Sequence, residues 1–286
     1  MNLGLIFQQF IDSFRAKNKE SFYPIIEPKE IEISSIDPVA VVSPQLLDDS
    51  KEDISNNISN IIETPMKKKI NLILRGHVRN SFDDKKLYYL VKKMTEEFDT
   101  AIYIHTWNIL QSGLSWRHIN HINTEVNEEF LKNYFDDLWY NVRYCMIEDD
   151  QKIELYGNTE GLVCRSSMPI LAFKRMTYGQ YRISQYLFEN APGDETVIQT
   201  RFDVMSNSFS TNPKTIMNLL HNPPQTTDRI KFIRNEPFFG IDNTYTSSVS
   251  DLYSFLKFFY YNLDEIFKKH DTKHQEYLSF FERNNF

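Results

Sequence analysis

Glycine is scarce in this chain, eight residues in 286, and neither a Gly-x-Gly-x-x-Gly fingerprint nor a Walker A loop occurs in it. The backbone cradles with which dinucleotide-binding and P-loop proteins hold phosphate are therefore excluded. Gly-x-Ser-x-Gly and His-Glu-x-x-His are also missing, which removes the hydrolase elbow and the zinc helix. Two cysteines, Cys145 and Cys164, provide neither a disulfide framework nor zinc spacing, so they are expected as core thiols in a reducing cytosol. No apolar run approaches the roughly 20 residues of a transmembrane span, and the amino terminus lacks a basic-then-apolar signal. Positive charge is short as well. The formal net charge is −7, and beyond Met66-Lys67-Lys68-Lys69 no basic patch or stripe suggests a nucleic-acid binder. A cytoplasmic protein is expected, with any phosphate met by side chains.

What is present falls into two parts. Over residues 1–69, Leu3, Ile6, Phe7, Phe10, Ile11 and Phe14 recur at helical spacing and predict an amphipathic helix. Residues 1–17 would pack on the domain or contact a membrane or a partner. Glu27 to Glu63 follows as a polar linker without sustained period. Over residues 70–286 strand and helix patterns alternate. Ile70 to Arg75 reads as a strand and Lys85 to Phe98 as a helix with Leu87, Leu90, Val91 and Met94 on one face. Ala101 to Ile104 is a second strand, Glu125 to Trp139 a helix, Val142 to Ile147 a third strand, and Ile170 to Glu189 a long helix. After the strand near Thr196 come a helix over Pro213 to Leu220, a strand over Ile230 to Ile233 and a helix over Val249 to Phe267. Strands separated by helices imply an α/β fold with a mostly parallel sheet flanked by helices.

The most informative stretch is Thr196-Val197-Ile198-Gln199-Thr200-Arg201-Phe202-Asp203-Val204, a β-branched run that ends in two charges. In a parallel α/β sheet ligands bind outside the carboxyl ends of the strands, and residues two apart on a strand share a face. Arg201 and Asp203 could thus address one ligand. A guanidinium suits phosphate oxygens, and an aspartate suits Mg²⁺, Mn²⁺ or a sugar hydroxyl. Together they fit departure of a nucleotide diphosphate, where the leaving group's charge must be met. The bland alternative is a structural ion pair at a strand end, and a bare Arg-x-Asp is expected about once by chance in a chain this long. At the first strand's end, Arg75-Gly76-His77-Val78-Arg79-Asn80 offers cations on a loop with a turning glycine, for a base, ribose or diphosphate, or as a solvated loop. At the second, His105-Thr106-Trp107 offers a ring that titrates and an aromatic plate, for a base or sugar, or as packing.

Leu72-Ile73-Leu74-Arg75-Gly76-His77-Val78-Arg79, Tyr103-Ile104-His105-Thr106-Trp107, Thr200-Arg201-Phe202-Asp203 and Phe238-Phe239-Gly240, in this order, resemble the GT-A-fold glycosyltransferases of bacterial capsule and lipopolysaccharide gene clusters. The similarity is to WavE-like and related capsular enzymes and to sugar transferases of large DNA viruses, and spans about residues 70 to 285. It implies a GT-A-like sheet, a nucleotide-sugar donor and a glycan or lipid-linked acceptor. In that family an Asp-x-Asp motif usually holds a divalent metal. Here Arg201 stands in the first acidic position, so only Asp203 matches as a ligand for Mn²⁺ or Mg²⁺. The resemblance places Gly76, His77, Arg79, His105, Trp107, Arg201 and Asp203 at the nucleotide-sugar site. It sets Glu236 and Asp242, in Asn235-Glu236-Pro237-Phe238-Phe239-Gly240-Ile241-Asp242, on the acceptor side as candidate bases. Another nucleotide-dependent transferase, or an interaction protein that keeps the fold without activity, is the alternative.

Overall fold

The computed structural model describes residues 67–111, 122–206, 213–222, 229–232, 242–283 and 285–286. The amino-terminal helix and linker expected over residues 1–69 lie, up to residue 66, outside the described residues, as does Glu236.

Strand β1 (Lys69–Arg75) is buried from Ile70 onward. Ile70, Leu72 and Leu74 enter one hydrophobic cluster and Ile73 the other. A strand covered on both faces reads as a continuous apolar run, which is why this one was legible. It pairs in parallel with β2 (Asp99–Trp107) on one side and β6 (Thr196–Arg201) on the other. Beyond β2 lies parallel β5 (Val142–Glu148). Beyond β6 lies β8 (Thr244–Ser248), antiparallel to both β6 and the edge strand β7 (Ile230–Phe232). The order is therefore β5-β2-β1-β6-β8-β7, a mixed, mostly parallel six-stranded α/β sheet, with β3 (Ile109–Gln111) and β4 (Ile122–Glu125) forming a separate antiparallel ribbon.

Helices cover both faces. Leu87, Leu90, Val91 and Met94 of α1 (Lys86–Glu97) join the Ile70 cluster, with Leu131 of α2 (Glu128–Phe135) and Ile216 of α4 (Pro213–His221). Phe173, Ile183 and Leu187 of α3 (Ile170–Asn190) and Leu252 and Phe255 of α5 (Val249–Tyr261) join the Ile73 cluster. Asn127 caps α2 by accepting from Phe130 N at 2.9 Å, and Ser248 caps α5 through Asp251 N at 3.1 Å; each satisfies an otherwise orphaned helix donor. Shorter α6 (Leu263–Lys269) and α7 (Leu278–Glu282) follow.

Several expectations are corrected. The fourth parallel strand stops at Arg201, and Asp203 sits in a 3-10 turn over Phe202–Met205. That turn lets Phe202 and Val204 both bury in the α1-side cluster, so strand alternation does not set the Arg201–Asp203 relation. The helix expected to Trp139 ends at Phe135, where Asp136 takes φ 50 and a 3-10 segment, Asp136–Asn141, takes over. The helix expected over 249–267 breaks at Asn262, whose side chain donates to Phe258 O at 2.8 Å and competes with the helical ladder. Strand β8 was not predicted, because Thr-Tyr-Thr-Ser-Ser has no apolar alternation. Its buried hydroxyls are satisfied in place: Thr246 donates to Val197 O at 2.9 Å, and Thr244 pairs with Thr200 at 2.8 Å.

Candidate functional site at the carboxyl ends of the strands

From β1 the chain steps outward to β2 and β5, then crosses through α3 to β6 on the other side of β1. The order reverses between β1 and β6, and such a switch point opens a crevice at the strands' carboxyl ends. Arg75 and Arg201 are register partners there.

Arg201 addresses Asp203 with two parallel bonds, Nε to Oδ1 at 2.7 Å and Nη2 to Oδ2 at 2.6 Å, and spans to Asn243 Oδ1 at 3.2 Å. Arg79 reaches the same carboxylate, Nη1 to Oδ2 at 2.7 Å. Its backbone has φ 54, a left-handed setting that costs a non-glycine residue on the order of 1 kcal/mol, and its N–H is tied to Leu110 O at 2.9 Å. Burial works against the charge on Asp203, but the Arg201 and Arg79 guanidinium groups outweigh it and hold the carboxyl well below the usual range. The structure thus brings Arg79, Arg201 and Asp203 together, and both carboxylate oxygens already carry guanidinium donors.

Arg75 is 2 % exposed and, among the described residues, pairs with no carboxylate side chain. Its Nη2 donates to the Asp242 carbonyl at 2.5 Å, and with the Gln180 amide turned to match its neighbours, Nη1 donates to Gln180 Oε1 at 3.1 Å. Burial, with Arg201 adding repulsion, lowers its pKa despite the opposing pull of Tyr245, Asp242 and Asp203. Asp242 therefore joins the site through its main chain. Gly76 takes φ +90, and its N–H donates to His105 O at 3.0 Å, fixing the turn that starts the loop to β2.

Arg175 extends the cationic edge, and the His77 imidazole lies between the Arg79 and Arg175 charges. Burial first, then the Arg79 and Arg175 charges, push the His77 imidazole down to about 3, so it is neutral at physiological pH. Arg175 of α3 donates to Asp150 Oδ2 at 3.0 Å, with Asp150 only 2 % exposed. Arg175, Gln180 and Asn243 were not among the expected site residues. The signal that could have found the first two is their place among the polar positions of the long helix, and a lone Asn before an unpredicted strand gave no signal.

His105 and Trp107 are buried. His105 Nε2 meets Glu148 Oε2 at 2.8 Å, and Tyr178 donates to Glu148 Oε1 at 3.0 Å. Trp107 packs edge-on to His105 and near-parallel to Tyr178. Packing is what the structure gives Trp107, and the partly exposed rings beside it are Tyr178 and His77. Gly179 makes this approach of α3 possible, since a Cβ there would lie 2.5 Å from His105 Cε1.

Among the described residues, no group of three or more His, Cys, Asp or Glu side chains is arranged to hold a metal ion. With both Asp203 oxygens on guanidinium groups, this donor set does not fit a divalent cation. No helix among the described residues is long and apolar enough to cross a membrane. Comparison with known proteins finds no family model and no curated protein that matches the chain.

Proposed function

We propose that the switch-point edge binds the diphosphate of a nucleotide sugar and that the protein is a GT-A-like glycosyltransferase, moving the sugar to a hydroxyl of a glycan or lipid-linked acceptor. The observation that carries this reading is the meeting of Arg201 and Arg79 on one buried carboxylate at the strand-order reversal. In the transfer, the bond from the anomeric carbon to the phosphate oxygen breaks and a bond to the acceptor oxygen forms. Arg201 and Arg79 meet the charge that develops on the departing diphosphate. Because they are fixed beforehand in a buried setting, little reorganisation is needed when that charge appears. Asp203 orients the two guanidinium groups and accepts a donor hydroxyl. The acceptor's proton passes to a carboxylate, with Glu236 and Asp242 the candidates, and positioning supplies much of the rate. No step runs through a metal, because the permanent cations here occupy the carboxylate that a metal would need.

A second reading has one observation in its favour. Both Asp203 oxygens are engaged by this protein's own arginines, as in a structural ion cluster of a non-catalytic interaction protein. Thermal shift against UDP-, GDP-, CMP- and dTDP-sugars, with and without Mn²⁺ and repeated on Asp203→Asn, separates the two. A nucleotide-specific rise in Tm that the variant loses is expected, since a ligand that binds only the folded form stabilises it by mass action. A rise with nucleotide but no added response to the sugar points to another nucleotide-dependent transferase. If no donor raises Tm, the transferase reading fails and the interaction protein stands.

A further inference from the structure

Buried polar side-chain atoms that lack a partner are not scattered evenly over the described residues. At the carboxyl edge they are His77 Nε2, Arg175 Nε, Arg75 Nε, His105 Nδ1 and Asn243 Nδ2. All are nitrogens, and three belong to groups that can only donate. A buried donor without an acceptor is costly, on the order of 1–3 kcal/mol each, and native proteins leave few. What would satisfy the donors of Arg75, His77, Arg175 and Asn243 is a ligand rich in acceptors.

We propose that His77, Arg79 and Arg175 form a metal-independent oxyanion site beside the Arg201–Asp203 pair, taking one phosphoryl group of a diphosphate. Assignment of the ligand as a nucleotide diphosphate rests on the function proposed above. The charges that face His77 are Arg79 and Arg175, opposed by Asp203, with His105 also near. Asp150 fixes Arg175 by one edge of its guanidinium and leaves Nε unused. Arg79 is delivered by a left-handed backbone that glycine or asparagine would adopt more easily, an outlier of the kind that collects at ligand sites. In its Nε2–H tautomer the neutral His77 donates without adding charge, so the site keeps its binding strength where an ordinary histidine would titrate. A cation would meet guanidinium groups that are always charged, and phosphoryl oxygens meet them as acceptors.

The test is calorimetric titration of the full chain with inorganic pyrophosphate, orthophosphate and glucuronate, each in EDTA and in Mn²⁺, between pH 6 and 8. Pyrophosphate is expected to bind in EDTA with affinity that does not fall as pH rises across that range, whereas a site that relied on a protonated histidine would lose affinity. His77→Phe, which keeps a ring and removes the donor, should weaken it about tenfold. Arg175→Gln could leave Asp150 buried and unpaired, so it is made together with Asp150→Asn, and that double variant should weaken binding about tenfold or more. Pyrophosphate binding that requires Mn²⁺, or that both variants leave unchanged, overturns the proposal. Glucuronate binding more tightly than orthophosphate overturns the phosphoryl assignment. Variant-sensitive pyrophosphate binding in a protein whose Tm no nucleotide sugar raises would keep the oxyanion site and remove the transferase reading.

Discussion

Two of the buried carboxylates that the fold sets against cations invite comparison, Asp203 at the strand-order reversal and Glu282 in α7, with side chains 4 % and 2 % exposed. Glu282 contacts His270 Nε2, sits 2.9 Å from Lys269 Nζ, and accepts from Asn285 Nδ2 at 2.6 Å. In both cases burial favours the neutral acid and the neighbouring donors win, so each pKa is lowered. The surroundings differ. None of Lys269, His270, Glu282 and Asn285 has a buried side-chain atom left without a partner, whereas Arg75, His77, Arg175 and Asn243 around Asp203 each do. A buried ion pair is weak evidence for function; the unmet donors beside one of the two pairs are what separate a candidate site from a clasp.

The largest expected effect breaks the clasp. Glu282→Ala leaves His270 and Lys269 without their shared counter-ion and should cost about 3–5 kcal/mol in urea denaturation, while pyrophosphate affinity stays as in the parent. A loss of affinity equal to that of the His77 variant would mean that the two regions are not separate.

Acid sharpens the contrast. His77 titrates near 3 when folded and near 6.5 when unfolded, so the unfolded chain takes up more protons between those values. Its contribution is complete above about pH 6.5 and is lost as pH falls toward 3, at up to about 1.4 kcal/mol per pH unit. The two carboxylates have lowered folded pKa values, so their contribution is present above about pH 4 and disappears only below it. Stability measured from pH 7 to 5 should therefore fall in the parent and flatten in His77→Gln. Equal slopes in the two proteins would contradict the neutral state of His77.

Gly179→Ala presses on the site side alone. Alanine is favoured over glycine in a helix by about 1 kcal/mol, yet the added Cβ would collide with the buried His105 ring. A net loss of about 1–2 kcal/mol is expected from such overpacking, and a stabilised variant would show that α3 can move away without penalty. Smallest of all, Lys269→Met should cost less than about 1 kcal/mol, because the lysine is 36 % exposed and His270 and Asn285 keep Glu282 engaged.

The parts of the fold that depend on short-range pattern were legible. Strands β1, β2 and β5 and helices α1, α3 and α4 follow from apolar runs and helical spacing that each element carries within itself. Strand β8 was missed because its burial is polar and satisfied from β6. The break at Asn262 was missed because one side-chain bond decides it. In the candidate site, Arg79, Arg201 and Asp203 were named from strand ends. Trp107 was offered as a stacking plate or as packing, and it is packed.

The sequence by itself determined the alternation of strands and helices, the absence of a glycine phosphate loop, and the presence of charge at the ends of β1 and β6, all properties of neighbours along the chain. Only the tertiary structure decided that Arg79 meets a carboxylate 124 positions away and that Glu148 faces His105 while Asp242 offers its carbonyl rather than its acid to Arg75. Those partnerships depend on β6 lying beside β1 and β5 beside β2. That order is set by which apolar faces the helices cover, and no local spacing records it.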